Sequence, residues 1–324
     1  AIPLALLLMA LIWMLWPAAR TLLRASAQAR RGLLGTVAAG FVLHLAMDFL
    51  NSYGVHPFYP FDARGWYGDM VFILEPVFWF AFGVPLAAMV RWPALRYLLL
   101  AGAAALPLLF VARAFLAWES AAALLAVLAM MVWLQRRAGA HGRQALFAGA
   151  ALCVVFIGAQ FAGSLEVRRM IEAELQQRDP ASRIVDASLT AFPSNPLCWN
   201  FTSIERNDAA GSYRLRRGTL RLADTACPGA FQARTLRSGE AMTISWEHER
   251  SLAQLRAVKL ANCHVDAWLR FARAPLIGAS AVNDARFGTD AISSFASMAL
   301  ASGQPCPAGV PQWDYPRRDL LAPG

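Results

Sequence analysis

The chain has 324 residues, of which 57% are hydrophobic and only 16% charged, with a mean hydropathy of +0.41, a balance that excludes an ordinary soluble domain. Residues 1–164 hold 11 Arg and 5 acids, whereas residues 165–324 hold 19 Lys or Arg and 16 acids, so the net charge of +9 divides into +6 and +3. The first half therefore reads as membrane and the second as polar and globular. The arginines of the first half sit in short loops and lack base-stacking aromatic clusters, so the basic charge gives no nucleic-acid signal.

In chain order, apolar runs at 2–16, 33–50, 71–90, 97–118, 121–134 and 145–163 predict six membrane spans, although several fall short of the ~20 residues that cross a bilayer upright. Arg20, Arg24, Arg30 and Arg31 lie between the first two runs, Arg91 and Arg96 flank the next alternate loop, and Arg136, Arg137 and Arg143 lie in the third. Placing these three loops in the cytoplasm satisfies the positive-inside rule and puts the polar half outside. Ala1 opens inside an apolar run without an initiator Met, so further sequence upstream is expected.

The polar half begins with a charged, helix-favouring segment at 166–177 that ends at Asp179-Pro180. Strands are predicted at 183–191, 197–205 and 212–222, separated by turn-forming residues, with late strands at 281–287 and 291–300. Helical periodicity runs over 250–273, interrupted at Cys263 and His264. The last fifteen residues, rich in Pro and Gly, read as a tail. Cys198, Cys227, Cys263 and Cys306 all lie in this half, and an even count outside the cytoplasm predicts two disulfides with three possible pairings. His248, between Glu247 and Glu249, and His264, near Asp266, read as solvated surface groups.

Ionisable residues stand where an apolar chain tolerates them least. His44 and Asp48, at spacing i, i+4, share one face of the second run, which ends in a turn at Asn51-Ser52-Tyr53-Gly54 with Gly54 free to take positive φ. Asp69 precedes the third run, and Glu75 is placed about one turn inside it, before Pro76. A neutral imidazole and carboxylates so placed can share a metal ion or pass a proton. The competing roles are structural: a helix–helix hydrogen bond for His44 and Asp48, and a helix N-cap for Asp69. Tyr53, Phe58, Tyr59, Phe61, Trp66 and Tyr67 fit an aromatic belt at headgroup level, and His56 an interfacial side chain.

The run of His44, Asp48, Asn51, Ser52, Tyr53 and Gly54, followed by Pro60-Phe61, Trp66-Tyr67, Asp69, Phe72-Ile73 and Glu75-Pro76, resembles the membrane-bound metal-dependent hydrolase family of LexA-regulated, YdjM-like inner-membrane proteins. The resemblance continues more faintly at Pro193 to Trp199 and at Asn283-Asp284-Ala285-Arg286-Phe287. It implies His44, Asp48 and Asp69 as functional polar residues. Glu75 stands where the family is expected to favour Asp before Pro, and the family's early Asp-rich segment and His-containing motif have no counterpart here. His44-x-x-x-Asp48 followed by Asn51 is also loosely similar to the zinc-dependent phospholipase C and nuclease group, in which a metal activates water toward a phosphoester.

These readings combine into a polytopic α-helical membrane bundle (1–164) followed by an extracytoplasmic α+β domain (165–310) and a tail (311–324), in a bacterial inner membrane. The expected function is metal-dependent hydrolysis of a membrane-associated ester or phosphoester, with a lipid or lipid-linked substrate. A divalent metal, zinc by donor chemistry, would be held by His44, Asp48, Asp69 and Glu75, with Glu75 and Asp69 as the catalytic carboxylates. The rival expectation is a non-catalytic membrane scaffold or binding protein whose polar domain docks a partner.

Overall fold

The structure, a computed structural model, describes residues 2–139, 142–225, 227–229, 236, 239–290, 292–300 and 305–322. The first half is helical: α1 (Ile2–Leu15), α2 (Pro17–Ala25), α3 (Ala27–Leu50), α4 (Pro76–Ala88), α5 (Pro93–Ala112), α6 (Trp118–Ala138) and α7 (Gln144–Arg178). Of these, α3, α5, α6 and α7 are long and apolar enough to cross a membrane, and a bent α1–α2 pair would make a fifth span. The expected six are thus reduced for two physical reasons. Pro17 starts a new helix where α1 stops, and the chain turns by 107° there. Residues 71–75, expected inside a span, are irregular, so α4 starts only at Pro76 and is 13 residues long.

Helices α4 to α7 pack around Val77, Phe80, Val84, Leu116, Leu124 and Met131. Gly149 of α7 lets the two backbones meet, because a Cβ there would stand 2.2 Å from the Ala81 carbonyl oxygen of α4. α7 runs without a break through the expected boundary at 164–165. Its 35 residues span about 52 Å, well beyond a bilayer core of about 30 Å.

The overhanging end of α7 supports the second half. Four strands, β1 (Arg183–Phe192), β2 (Asn195–Asn207), β3 (Ser212–Arg221) and β4 (Met242–Ser251), form an antiparallel meander in the order β1-β2-β3-β4. One face of this sheet (Ala187, Leu189, Ala191, Trp199, Phe201 and Leu220) packs on Val167, Ile171 and Leu175 of α7. The other face is divided along its length. Away from the bundle, Ile204, Tyr213 and Leu215 join the core made by α8 (Leu252–Ala261) and α9 (Cys263–Leu269). Asn262 separates these two helices and caps α9, accepting from the His264 and Val265 amides.

A smaller antiparallel sheet is formed by β5 (Pro275–Ile277), β6 (Ala281–Asp284) and β7 (Met298–Ala299). Only two residues of the strand expected at 291–300 are extended, and Ala291 lies outside the described residues. Two disulfides are present, Cys198–Cys227 and Cys263–Cys306, and Cys153 is a free thiol buried in α7.

The segment expected as a tail is packed. Trp313 stacks on His56 at 4.1 Å, the Asp314 amide donates to the Ala63 carbonyl, and α10 (Arg318–Leu321) buries Leu320 in the core of the domain. The fold class is thus an apolar helical half followed by a disulfide-bonded antiparallel-sheet domain, seated on the N-terminal ends of α4 and α6.

Candidate functional site

The chain between α3 and α4 is the piece on which both halves meet. Its path is set by backbone pairing: Val55 and Trp66 exchange hydrogen bonds of 2.9 and 2.8 Å, and Gly68 donates to the Phe49 carbonyl. Gly54 has φ +90°, as its position in the turn predicts, and a Cβ there would collide with the Tyr67 ring. The Tyr67 ring lies against the Arg273 guanidinium, 4.3 Å from its centroid.

Asp69 is fully buried and has φ +54°. It caps no helix, contrary to the bland expectation. Its carboxylate accepts both terminal nitrogens of Arg273 at 2.8 Å and is also bonded by Arg168 of α7. Arg273 in turn holds Asp186 of β1 at 2.6 and 2.9 Å, and Arg317 meets the same carboxylate at 3.0 Å. Burial alone would raise the Asp186 carboxyl, but Arg273 and Arg317 outweigh it and hold the group well below the usual carboxylate range. Three arginines against two aspartates make a closed network tying the loop, α7, β1 and the C-terminal segment together.

Glu75 lies outside the helix rather than a turn inside it. It N-caps α4 through the Val77 amide and accepts the amide and hydroxyl of Ser194 at 3.0 and 2.8 Å. Ser194, in the β1–β2 turn, also accepts a hydrogen bond from Ser120 of α6 at its carbonyl. Burial pushes the Glu75 carboxyl up to about 7, against the lowering pull of Ser194 and Val77. That range suits a general base, but its Oε1 is occupied by Ser194 and Val77.

His44 and Asp48 are the only two of the four residues that pair with one another as expected. Their Nε2 and Oδ2 atoms are 3.4 Å apart, with side chains 71% and 46% exposed on α3. A zinc centre takes three or four protein donors. Among the described residues no group of three or more His, Cys, Asp or Glu side chains is arranged to hold a metal. The donor set that the structure offers does not fit the expected ion: Asp69 and Glu75 are bound instead to Arg168, Arg273 and Ser194, leaving two donors on one helix.

Beside this junction lies a cavity of about 460 Å³. The loop contributes Asn51, Ser52, Tyr53, Val71, Phe72 and Ile73 to its wall, and the sheet contributes the bundle-proximal part of the face not covered by α7. Strand register explains this wall. Ser188 pairs with Thr202 and Thr202 with Arg217, while Thr190 pairs with Asn200 and Asn200 with Thr219, so two rows of polar side chains cross one face. Arg286 closes the cavity from the far side, bidentate to Asp284 and donating to the Ser52 carbonyl at 2.6 Å.

Residues 1–164 match the YdjM inner membrane protein family. The chain belongs to that family. No curated protein and no solved structure matches it. The YdjM match ends inside α7, so the sheet, the cavity wall it supplies, and Arg273, Asp186, Arg286 and Ser194 lie beyond it. Membership and the apolar helices make this an integral inner-membrane protein.

Arg168 and Arg273 were not legible from the sequence as partners of Asp69, because they stand 99 and 204 residues away from it. A faint signal did exist. The two stretches of the polar half singled out by resemblance contain Ser194, Asp284 and Arg286, which hold Glu75 and Ser52.

Proposed function

We propose that this YdjM-family protein is a membrane-anchored binding protein that holds a membrane-associated molecule in the cavity between the loop 51–75 and the sheet. The observation that carries this reading is that the cavity is walled by both halves while the loop is fixed at Ser52, Asp69 and Glu75. Its volume is in the range of small-molecule sites, about 300–1,000 Å³. Ile73 and Leu74 expose apolar surface on the same loop, which suits a ligand that arrives from the bilayer. The site would face outward. Arg91, Arg96, Arg136, Arg137 and Arg143 stand at the ends of α4 to α7 opposite the domain, and the positive-inside rule assigns that end to the cytoplasm. Two disulfides favour the same orientation.

The test is a filled cavity. Thr190→Phe places a ring in the polar wall, and the full chain is purified in a neutral detergent and examined by native mass spectrometry. The wild type should retain or take up a lipid-like molecule that the variant loses, with both disulfides intact in each. Equal occupancy in both would end the reading.

A second reading, metal-dependent hydrolysis of a membrane-associated ester or phosphoester, is favoured by one observation: the exposed His44–Asp48 pair. The pair supplies two of the three or four donors a zinc site takes, so this reading needs further donors beyond the described residues. Divalent-metal content of the purified protein, compared with His44→Ala, tests it directly.

A further inference from the structure

Arg217 is the unspent charge in this cavity. It lies on β3 between Arg216 and Gly218, facing the cavity with Thr219. Arg214 and Arg216 of the same strand are ion-paired, to Asp179 and Glu249 and to Glu205 and Glu247. Arg286, the other arginine in the wall, is engaged by Asp284 and Ser52. Arg217 is partly buried, yet among the described residues its guanidinium has no hydrogen-bond or ion-pair partner. The acid whose field reaches it is Asp284, which already accepts from Arg286 and from the Arg273 amide.

None of the Arg217 nitrogens is among the buried polar atoms that lack a partner, so the group is open to the cavity, where an anion can replace water. Burial pulls the Arg217 pKa down from its ordinary value, although it stays charged at neutral pH. Its surroundings suit an oxyanion. The Thr202 hydroxyl is its register neighbour, whereas the nearby Ser188 and Thr219 hydroxyls already donate to Asp69 and Asn200. A planar guanidinium with a hydroxyl donor is the chemistry that recognises phosphate or carboxylate oxygens.

Away from the polar rows, part of the wall is apolar. Phe72 and Ile73 come from the loop, Phe192 from the end of β1 and Ile292 from beyond β6, and Ile73 and Ile292 are 46% and 60% exposed. One unpaired cation, with aliphatic and aromatic surface in the same wall, suits an amphiphile better than a free ion.

We infer that the cavity takes an anionic amphiphile, its phosphate or carboxylate head on Arg217 and its chain along Phe72, Ile73 and Ile292. This rests on the binding reading above and adds the charge and polarity of the ligand. The same headgroup chemistry is offered by a membrane lipid and by a soluble phosphate, and the experiment separates them.

The full chain in maltoside detergent is titrated with oleoyl lysophosphatidic acid, with the uncharged monoolein and with inorganic phosphate, and bound stoichiometry is read by native mass spectrometry. Arg217→Met keeps the length of the side chain without the charge, and Arg217→Lys keeps the charge. The wild type should bind one lysophosphatidic acid. Arg217→Met should bind it at least tenfold more weakly, while Arg217→Lys stays within a few-fold and monoolein binding is unchanged by either substitution. Both variants should retain both disulfides and the wild-type melting temperature. If Arg217→Met binds lysophosphatidic acid as well as the wild type does, the headgroup assignment is wrong although the cavity still binds. If inorganic phosphate displaces the lysolipid at equal concentration, the amphiphile assignment is wrong. If the wild type binds none of the lipids, the binding reading fails and this inference with it.

Discussion

Helices α3 and α4 make an instructive pair. α3 is 24 residues long, long and apolar enough to cross a membrane, and none of its residues is buried. α4 is only 13 residues long, yet it buries Pro76, Val77, Phe80, Ala81, Val84 and Pro85 at the centre of the bundle. Hydrophobicity thus marks both as apolar helices but says nothing about which one carries the fold. The four polar residues of the loop region divide along the same line. Asp69 and Glu75, next to α4, are enclosed and bonded, whereas His44 and Asp48, on α3, stand exposed and, among the described residues, pair only with each other. If that division is real, substitutions on the two sides should differ in effect by several kcal/mol.

The largest effect is expected at Arg273. It is 4% exposed at its side chain and bonds both Asp69 and Asp186. Arg273→Met takes the bidentate partner from the buried Asp69 and one partner from the half-buried Asp186, a change of the kind that costs about 3–5 kcal/mol. The melting temperature in detergent should fall steeply, and the loop 51–75 should become open to limited proteolysis. A variant that melts like the wild type would show that the network does not hold the halves together. Because Asp186 is ionised far into the acid range, the network should lose strength only as pH falls below the ordinary carboxylate range, and should be steady from about pH 5 to 8.

Next in size are the disulfides. Cys263–Cys306 closes a separation of 43 residues, and its loss as Cys263→Ser with Cys306→Ser should cost about 2–4 kcal/mol. The same cysteines report topology. In intact cells all four should resist thiol labelling until a membrane-impermeant reductant is added. Labelling that instead requires an opened inner membrane would place the domain in the cytoplasm.

Sequence periodicity made the helices, three of the four long strands and the cysteine pairing partner count legible, because these depend on local spacing. β4 was missed although Ile244, Trp246 and His248 alternate with Ser245, Glu247 and Glu249. That alternation carries charge on one face and mixed residues on the other, so apolar patterning alone did not mark it. Asp69 and Glu75 were recognised as anomalous but assigned the wrong company. An isolated acid near a bilayer must find a partner, and His44 was the nearest candidate in sequence. The real partners, Arg168, Arg273 and Ser194, are 99, 204 and 119 positions away and are brought close only by the overhang of α7 and the return of the C-terminal domain.

Glu75 provides a pH-dependent test. Its folded pKa is raised to about 7 by burial, so the folded protein holds a proton that the unfolded chain has released. The stability this contributes is complete below about pH 4.5 and is lost as pH rises through about 7. Glu75→Gln keeps the amide oxygen available to Ser194 and never ionises. It should match the wild type at pH 5 and exceed it at pH 8, by about 1–3 kcal/mol. Equal loss of stability at both pH values would mean that the carboxylate charge itself holds Ser194.

The smallest effect on stability is expected on α3, and for that reason it is the most informative about function. His44→Ala and Asp48→Ala remove exposed side chains whose only mutual contact is 3.4 Å long, so each should change stability by no more than about 0.5 kcal/mol. Any cellular defect then reflects lost chemistry and not lost fold. If the protein acts by binding in the cavity, both variants should take up lysophosphatidic acid as the wild type does, because neither residue contributes to the cavity wall. If it acts as a metal-dependent hydrolase, both should lose divalent metal and activity while lipid uptake continues. Measuring uptake and metal content on the same preparations separates the two, since the cavity and the His44–Asp48 pair share no residue.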